Sequence, residues 1–466
     1  MIDLTAAEVA QLTGGRLEAA PDTRVAGPTV IDSRTVAPGS LFVALVGETS
    51  DGHDHAAAAV AGGATLVLAG RHVEGVPAVV VDDVPRALGL LAAEHLRRLR
   101  AHGDVRVVAV TGSVGKTTTK DLLGQLLSPA GETIMPEASF NNEIGLPLTV
   151  LQAGPSTRYL VLEMGASAVG DLTYLTGIAP PDVSIVLAVG NAHLGGFGGI
   201  EAVARAKSEI VTGLAPGGVA VLNADDLRVV AMRSLAPGKV VTFGTVRDAT
   251  LRARNVSNDR LGRVSADLTL GEEAHHVTLN LFGEHHLTNA LAAAAAAVEL
   301  GLPLADVAAR LTGAQALSPH RMAVTERPDG VTIIDDSYNA NPDSMRAALK
   351  ALAVMAGRDR RSIAVLGEML ELGKDSRAAH EALGLLVVRL NIKLLVVVGD
   401  GASGLADGAI QEGSWGEEVR EVPDVAAAAE LLAAELREGD VVLVKASNGA
   451  GLWRLGDELA ATVTAS

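Results

Sequence analysis

The fold of this chain of 466 residues is decided by one stretch, Thr111-Gly112-Ser113-Val114-Gly115-Lys116-Thr117-Thr118. An apolar run, residues 105–110, precedes this stretch and predicts a buried parallel strand. Residues 119–127 follow it, and their apolar pairs recur at the spacing of a helix. A strand, a glycine turn containing Gly-Lys-Thr and a helix together form the architecture of a phosphate-binding loop.

The chemistry of such a loop gives each residue type a role. Glycines allow backbone N–H groups to close around phosphate oxygens, and the helix N-terminus adds the positive end of its dipole. Lys116 would reach the terminal phosphates, and the Thr117 hydroxyl would hold magnesium. The general pattern has a glycine where this chain has Val110, so the loop is a shorter variant, G-x-x-G-K-T-T. The alternative, a chance glycine-rich turn, is disfavoured by the flanking strand and helix.

The composition excludes several classes of protein. The formal net charge of −17 is spread along the chain, which argues against binding to nucleic acid or to an acidic membrane surface. Because the chain has no cysteine, it can form no disulfide, thiolate nucleophile or thiolate metal site. The N-terminus lacks a signal-peptide pattern, and the longest apolar stretch, residues 383–398, is broken by Arg389 and Lys393. We therefore expect a cytoplasmic protein without a membrane span.

The strand and helix patterns predict three α/β domains, residues 1–103, 104–317 and 318–466. The first domain is small and alternates short strands with Ala-rich helices. In the second domain the phosphate-binding loop belongs to a parallel sheet flanked by helices, and a hairpin around residues 271–273 packs on an edge of that sheet. The third domain alternates buried strands with helices and is Rossmann-like in character.

Three polar residues are candidates for positions beside the phosphates. Glu163 ends a predicted strand, and because strand carboxyl ends face the ligand crevice, its carboxylate is better placed to hold magnesium than to face solvent. His193 follows another strand and points at the same crevice, although a loop histidine is more often simply hydrogen-bonded. Lys207 lies on the next predicted helix, where spacing alone favours a surface lysine.

Other polar positions leave alternatives open. Asn289 enters a long Ala-rich helix and is either a cap-like residue or an amide that binds a base. His53 and His55 could suggest a metal site, but adjacent positions of an extended segment point to opposite faces and no third ligand is evident, so we favour no metal there. Residues 335–344 end a strand of the third domain, and so dense a polar loop favours function, although its tail also suits a helix start.

These residues resemble those of the Mur ligases, the ATP-dependent amino-acid-adding enzymes of bacterial cell-wall synthesis. The resemblance covers nearly the whole chain, and its motifs occur in the family's order and spacing. The matching positions are residues 111–118, Glu163, Asn191-Ala192-His193-Leu194, Ala206-Lys207-Ser208-Glu209-Ile210, Asn289, Arg321 and Asp336.

Three further stretches, residues 141–149, 335–344 and 365–369, resemble the subgroup that adds D-alanyl-D-alanine to UDP-N-acetylmuramoyl-tripeptide. The first domain, with Asp32-Ser33-Arg34, fits a uridine-nucleotide domain. The Asp-Asn-Pro-Arg acceptor motif of the diaminopimelate-adding relative is absent. The chain departs from the family at Lys445-Ala446-Ser447-Asn448, where Lys-Gly-Ser-Arg is usual.

The resemblance implies a reaction in which a substrate carboxylate attacks the γ-phosphate of ATP and the amine of D-alanyl-D-alanine then displaces phosphate from the acyl phosphate. Catalysis would rest on positioning and charge neutralisation. Lys116 would stabilise the transferred phosphoryl group, Thr117 and Glu163 would hold one Mg2+, and His193 would hold a second. Lys207 would be carbamylated and would help to bind the second ion, which reverses the surface-lysine interpretation.

The resemblance also assigns the remaining contacts. Asn289 would contact adenine, and Arg321 and Asp336 would reach ATP from the third domain, whose closure would then be coupled to catalysis. The expected catalytic residues are Lys116, His193 and Lys207. The residues expected to bind the other substrates are Ser33, Arg34, Asn142, Asn339 and Asn341.

Two other functions share part of this pattern. Another Mur ligase or a folylpolyglutamate synthetase would use the same ATP site, and the segments 32–34 and 338–342 argue for the subgroup named above. A nucleotide-binding regulatory module would need no second metal, so Glu163, His193 and Lys207 argue against it. We expect a monomer that binds no nucleic acid.

Overall fold

Four β-sheets organise the chain in the computed structural model, which describes residues 3–47, 49–136, 138–190, 199–259, 262–413 and 418–461. Parallel strands with helices between them dominate the three larger sheets, so the predicted α/β class is confirmed. Each sheet lies within one of the three predicted domains, whose boundaries remain a prediction. Among the described residues, no helix combines the length and the apolar character needed to cross a bilayer.

The N-terminal region contains a two-stranded sheet, β1–β3, and a five-stranded sheet with the order β2-β7-β6-β5-β4. In the larger sheet only β2 runs antiparallel to its neighbour. The elements are β1 Leu4–Thr5, α1 Ala6–Thr13, β2 Arg16–Glu18, β3 Arg24–Val25, β4 Thr29–Val30, β5 Leu41–Val43, α2 Ala56–Ala61, β6 Leu66–Ala69, β7 Ala78–Val80 and α3 Val84–His102.

The central region is built on a nine-stranded sheet with the order β16-β15-β14-β13-β12-β11-β8-β10-β9. Its elements are β8 Arg106–Thr111, α4 Lys116–Leu127, β9 Thr133–Ile134, α5 Gly145–Val150, β10 Tyr159–Glu163, α6 Asp171–Ile178, β11 Val183–Val186, α7 Ile200–Thr212, β12 Val219–Asn223, α8 Leu227–Ala231, β13 Lys239–Gly244, β14 Leu251–Asn258, β15 Arg263–Leu270, β16 Glu273–Phe282, α9 His285–Glu299 and α10 Leu304–Gly313.

The predicted hairpin is confirmed as β15 and β16, which pair antiparallel and extend the central sheet at its edge. The strands from β9 to β14 pair in parallel. Strand β8 is the third strand from one edge, and residues 107–110 on both of its faces are fully buried because helices cover this part of the sheet on both sides. The small alanine side chains of residues 292–297 are also buried, and they bring α9 close to the sheet.

The C-terminal region contains a six-stranded sheet with the order β17-β18-β22-β19-β20-β21, in which only β17 is antiparallel. Its parallel strands alternate with helices along the chain, which confirms the Rossmann-like prediction. The elements are β17 Ala323–Glu326, β18 Thr332–Asp335, α11 Pro342–Ala356, β19 Ser362–Leu366, α12 Ser376–Arg389, β20 Leu394–Val398, α13 Gly404–Gln411, β21 Val419–Val422, α14 Val425–Glu435, β22 Val441–Lys445 and α15 Trp453–Ala461.

Helices α12 and α13 pack so closely that their contact requires glycine. A Cβ atom on Gly408 would lie closer than 3.0 Å to the backbone of Glu381, and a Cβ atom on Gly384 would meet the backbone of Leu405. Because backbone atoms cannot move aside like a flexible side chain, an added methyl group would push the two helices apart.

We expect Gly408→Ala to lower the free energy of unfolding by about 1–3 kcal/mol through overpacking. Gly177→Ala is the matched control, because its added Cβ atom meets nothing within 4 Å and alanine favours a helix at this exposed position of α6. Urea unfolding followed by circular dichroism measures both changes. Equal stability of Gly408→Ala and wild type would show that the helices do not pack as closely as described.

Candidate active site

A cavity of about 970 Å3 lies where the carboxyl ends of the central strands face the C-terminal region. The central region contributes the phosphate-binding loop, the ends of β10 and β11, and parts of α6, α7 and α9, and the C-terminal region closes the other side. The predicted site residues that line the cavity are Ser113, Val114, Gly115, Lys116, Thr117, Thr118, Asn142, Glu163, Lys207, Asn289, Arg321, Asp336, Asn339 and Asn341.

The loop between β8 and α4 has the predicted strand–turn–helix geometry. Gly115 has φ +83°, and the amide of Asn289 occupies the space that a Cβ atom on Gly115 would need. Only glycine therefore fits this position. Helix α4 begins at Lys116, whose ammonium donates a hydrogen bond to the Gly112 carbonyl oxygen at 3.0 Å. Burial lowers the pKa of Lys116, the Arg321 guanidinium lowers it further, and Glu163 opposes both.

Glu163 and Thr117 form an oxygen-rich contact at the bottom of the cavity. The Thr117 hydroxyl donates to Glu163 Oε2 at 2.9 Å and lies 3.0 Å from Ser139 Oγ. Asn141 Nδ2 donates to Glu163 Oε1 at 2.7 Å. Glu163 is only 1% exposed, because it ends the buried strand β10 on the side of the loop. Carboxylate and hydroxyl oxygens at this position match the ligands that Mg2+ prefers.

Lys207 is buried, so the surface-lysine interpretation made from spacing alone is wrong. It lies on the same face of α7 as Val203 and Ile210, which pack into the core. Its side chain is 3% exposed, and its ammonium has no hydrogen-bond or ion-pair partner within the described part of the chain. Burial, with a smaller contribution from the charge of Lys116, lowers the pKa of Lys207 to about 7.

Arg321 reaches the loop from the far side of the cavity. Its Nη2 donates to Thr117 Oγ1 at 3.1 Å and to Ser139 Oγ at 3.2 Å. The guanidinium lies over the ring of Tyr338, 4.1 Å from the centroid, so an aromatic face supports the cation. The side-chain amide of Asn341 lies 3.5 Å from the Ser113 carbonyl oxygen, a second contact with the loop.

Asp336 lies in a network of its own behind Arg321. Lys445, at the end of β22, donates to Asp336 Oδ2 at 2.6 Å and to the Asn339 carbonyl oxygen at 2.8 Å. Burial lowers the pKa of Lys445, and the neighbouring Asp336 opposes that shift. The sequence analysis gave Lys445 no role. Its position at the carboxyl end of a buried strand was the available signal.

Asn289 is not a cap residue, because α9 begins four residues earlier at His285. The side chain is buried against the loop, which leaves the base-binding interpretation as a prediction. His285 and His286, which no sequence pattern singled out, lie beside Asn289 with their ring centroids 4.1 Å apart. Burial lowers the pKa of His285 to about 4 and that of His286 well below its usual value, so both rings are neutral at pH 7.

The residues expected to bind the other substrates have different surroundings. Asn142 accepts a hydrogen bond from the Gly145 N–H at 2.9 Å, at the start of α5. Asn341 caps α11, accepting from the Ser344 N–H at 2.9 Å. Both side chains therefore also stabilise helix starts. Asn339 lines the cavity and accepts a hydrogen bond from Lys445 through its carbonyl oxygen.

The segment predicted to bind the uridine nucleotide does not line this cavity. Arg34 is exposed and pairs with Asp32 at 2.6 Å, and neither Arg34 nor Ser33 lines the cavity, so their role at a uridine nucleotide remains a prediction. His193 falls within residues 191–198, outside the described residues. Among the cavity residues whose chemical role was not evident from the sequence are Ser139, Asn141, Tyr338, Lys445, His285 and His286.

His53 is buried and fully hydrogen-bonded. Its segment forms a short 3-10 helix, residues 52–55, and not the extended segment that we expected. His53 Nδ1 lies 2.6 Å from Asp51 Oδ1, and Nε2 accepts from the Gly70 N–H at 2.9 Å. His55 contacts Ser50 Oγ instead, at 3.1 Å. These separate partners agree with a structural role for His53.

Similarity to known proteins extends over all three regions. Residues 29–96 match the model of the Mur ligase family catalytic domain, residues 110–297 the Mur ligase middle domain, and residues 320–448 the Mur ligase glutamate ligase domain. The UDP-N-acetylmuramoyl-tripeptide–D-alanyl-D-alanine ligase of Mycobacterium tuberculosis is 46% identical over 506 aligned positions, covering 100% of this chain and 99% of the relative. The Escherichia coli relative of the same name is 36% identical over 86% of each chain.

Solved structures of Mur ligases are similar to this chain over nearly its whole length. A crystal structure of MurF from Acinetobacter baumannii superposes with a TM-score of 0.87 at 31% identity, covering 98% of this chain and 99% of that one. MurF ligase from Thermotoga maritima in complex with ADP superposes with a TM-score of 0.78, also at 31% identity, covering 92% of this chain and 96% of that one.

We expect Lys207→Met to stabilise the protein at pH 7 in CO2-depleted buffer, because it removes a buried cation that has no partner within the described residues. The pKa of about 7 in the folded protein lies below the usual lysine value of 10.5, so the folded wild type binds fewer protons than the unfolded chain between these pH values. Wild-type stability therefore rises relative to the variant as pH increases through this range, and the advantage of Lys207→Met shrinks. Thermal unfolding at several pH values measures this, with the exposed Lys374→Met as control. A less stable Lys207→Met at pH 7 would contradict the burial argument.

Proposed function

The chain belongs to the Mur ligase family, and we propose that it joins D-alanyl-D-alanine to the terminal carboxylate of UDP-N-acetylmuramoyl-tripeptide in peptidoglycan precursor synthesis. The observation that carries this proposal is the match at 46% identity over the whole chain to ligases named for that reaction. The cavity supports it, because a phosphate-binding loop faces polar side chains from the C-terminal region.

ATP binds at the loop between β8 and α4 in this proposal. The loop N–H groups and the start of α4 provide donors and a positive dipole end for phosphate oxygens. Lys116 and Arg321 both lie at this position, and the charge of Arg321 helps to lower the pKa of Lys116. A polyphosphate placed between them would neutralise both, which favours nucleotide binding. Asn289, packed against Gly115, is the proposed contact for adenine.

The reaction requires no nucleophile from the protein. A carboxylate oxygen of the tripeptide substrate attacks the γ-phosphorus, and ADP leaves with the electron pair of the broken P–O bond. The amine of D-alanyl-D-alanine then attacks the acyl carbon, loses a proton and expels phosphate. In this proposal Lys116 and Arg321, which both contact the phosphate-binding loop, hold the phosphoryl oxygens in position while charge moves between them. The cavity walls orient the two reactants.

The oxygen atoms of Thr117 and Glu163 fit a magnesium ion. Both belong to elements that the sheet holds in place, and the Glu163 carboxylate is already oriented by Asn141. Magnesium, when bound there, would neutralise phosphate charge. The second ion of the proposal would be held by His193 and by carbamylated Lys207.

Lys207 has the properties that carbamylation requires. A pKa of about 7 leaves a substantial fraction of the amine neutral at physiological pH. The neutral nitrogen can attack CO2, forming an N–C bond and releasing a proton to solvent. The product carries a negative charge beside Lys116, so repulsion between two ammonium groups becomes attraction. Burial then protects the carbamate from water.

We propose that the enzyme acts as a cytoplasmic monomer. The described residues of one chain supply the loop, the proposed metal ligands Thr117 and Glu163, and the arginine on the opposite wall. ATP and a UDP-linked precursor are both cytoplasmic metabolites, which supports that compartment.

The proposed reaction predicts phosphate release from ATP only when both UDP-N-acetylmuramoyl-tripeptide and D-alanyl-D-alanine are present. Purified protein is assayed with each reactant omitted in turn, and the new amide is detected by mass spectrometry. Lys116→Ala should lose about 100-fold or more in rate, because a cation at the transferred phosphoryl group is removed. Lys374→Ala, on the exposed surface, is the control. Phosphate release that does not depend on D-alanyl-D-alanine, without a new amide, would reject the proposal.

The carbamate proposal predicts a carbamate carbon signal in the NMR spectrum of protein equilibrated with carbon-13-labelled bicarbonate. The signal should be absent from Lys207→Ala, which lacks the amine, and present in Lys374→Ala. Ligase activity of Lys207→Ala should be largely lost and should recover in part with added acetate, which supplies a carboxylate. An unchanged spectrum in Lys207→Ala would assign the signal elsewhere and remove the proposal.

A further inference from the structure

One face of α4 holds the segment that leads to the C-terminal region, residues 315–321, here called the linker. Thr117, Asp121 and Gln125 follow one another at four-residue spacing along α4, so their side chains share one stripe of the helix surface. Each of the three side chains contacts the linker. The linker runs antiparallel to the helix, so the start of α4 meets the end of the linker.

The far end of this stripe holds the linker through backbone atoms. Gln125 Nε2 donates to the Gln315 carbonyl oxygen at 2.9 Å, and the Gln315 N–H donates to Gln125 Oε1 at 2.9 Å. Asp121 Oδ2 accepts from the Ser318 N–H at 3.1 Å. Because the linker contributes only its backbone, these contacts fix its register and not its side-chain identity.

The middle contact is anchored in the interior. Asp121 is buried and pairs with Lys120 at 2.7 Å. Lys120 is itself buried and donates to the Pro136 carbonyl oxygen at 2.7 Å. The third contact is Arg321 Nη2 on the Thr117 hydroxyl, so the stripe ends at the phosphate-binding loop.

The backbone on either side of Arg321, at the end of the linker and at the residue after it, is strained and held in place. His320 and Met322 have φ of 57° and 53°, a conformation that side chains other than glycine rarely adopt. His320 Nδ1 lies 2.6 Å from Asp335 Oδ2, and the Met322 N–H donates to Asp336 Oδ1 at 3.1 Å. Consecutive carboxylates at the end of β18 thus hold the two residues that flank the arginine.

We propose that Asp121 and Gln125 are positioning residues, which hold the linker in register along α4 and thereby direct Arg321 to the phosphate-binding loop. This inference rests on the proposed role of Arg321 at ATP. It makes α4 a single rigid element that carries both Lys116, at the phosphates, and the attachment of the C-terminal region. A shift of the linker along α4 would move Arg321 away from the loop while Lys116 stayed in place.

Gln125→Met tests the inference, because methionine keeps the length and helix preference of the side chain and loses both hydrogen bonds to Gln315. Gln315→Met is the matched control, since its side chain makes neither of those bonds. The readouts are the affinity for a non-hydrolysable ATP analogue and kcat, each measured also in an Arg321→Ala background. We expect Gln125→Met to lose about tenfold in analogue affinity and in kcat, as two neutral hydrogen bonds are lost. KM for the UDP-linked substrate should stay unchanged, and the melting temperature should fall by only about the few degrees that two lost hydrogen bonds cost, equally with and without Arg321.

In the Arg321→Ala background the effect of Gln125→Met on analogue affinity and kcat should disappear, because the two residues act through one contact. Gln125→Glu is a second variant with the same expected result. It keeps an acceptor for the Gln315 N–H, but it places a carboxylate against the Gln315 carbonyl oxygen. Full affinity in both Gln125 variants, or an equal loss with and without Arg321, would overturn the inference. The analogue-binding readout does not depend on ligation, so failure of the proposed reaction would be seen separately, as an inactive wild type that still shows the coupling.

Discussion

The hydroxyl of Thr117 is the point on which the site depends. It lies within hydrogen-bond distance of Glu163, Ser139 and Arg321, which come from β10, from the segment after β9 and from the start of the C-terminal region. A single hydroxyl can serve all three because it donates once and accepts from two sides. Since Thr117 lies in the first turn of α4, these contacts attach three parts of the chain to the helix that begins at the phosphate-binding loop.

The contacts around Thr117 also bring positively charged side chains close to the phosphate-binding loop. Lys116, Arg321 and Lys207 bring positive charge to the part of the cavity beside the phosphate-binding loop, although the chain as a whole carries a net charge of −17. The pKa of Lys116 and that of Lys207 are lowered by burial, and neighbouring cations lower both further. Such a site is costly when empty and is stabilised by an anion. A nucleotide with several phosphate charges has the complementary chemistry, and a carbamate on Lys207 would relieve part of the repulsion from within the protein.

The sequence predicted those features that short-range patterns determine. A fully apolar run such as residues 107–110 indicates a strand covered on both faces, and alternation around residues 271–273 indicates a hairpin, because side-chain period and burial are coupled locally. The burial of Lys207 could not be predicted in this way, because polar residues lie on more than one face of its helix α7. Only packing against the sheet decides which face of α7 is buried. Asn289 was ambiguous because the start of α9 is set by tertiary packing and not by a capping side chain.

The features that could not be predicted from the sequence depend on contacts between segments that are distant along the chain. Asp121 and Gln125 read as ordinary polar positions of an amphipathic helix, and nothing in their neighbourhood indicates a partner almost 200 positions away. Their importance appears only when the linker is seen lying along α4. A helix that carries the nucleotide loop at one end and the linker along one face cannot change its relation to the phosphates without changing its relation to the C-terminal region. Packed helices move as units with discrete arrangements, so such a shared helix couples nucleotide position to domain position without a separate signalling element.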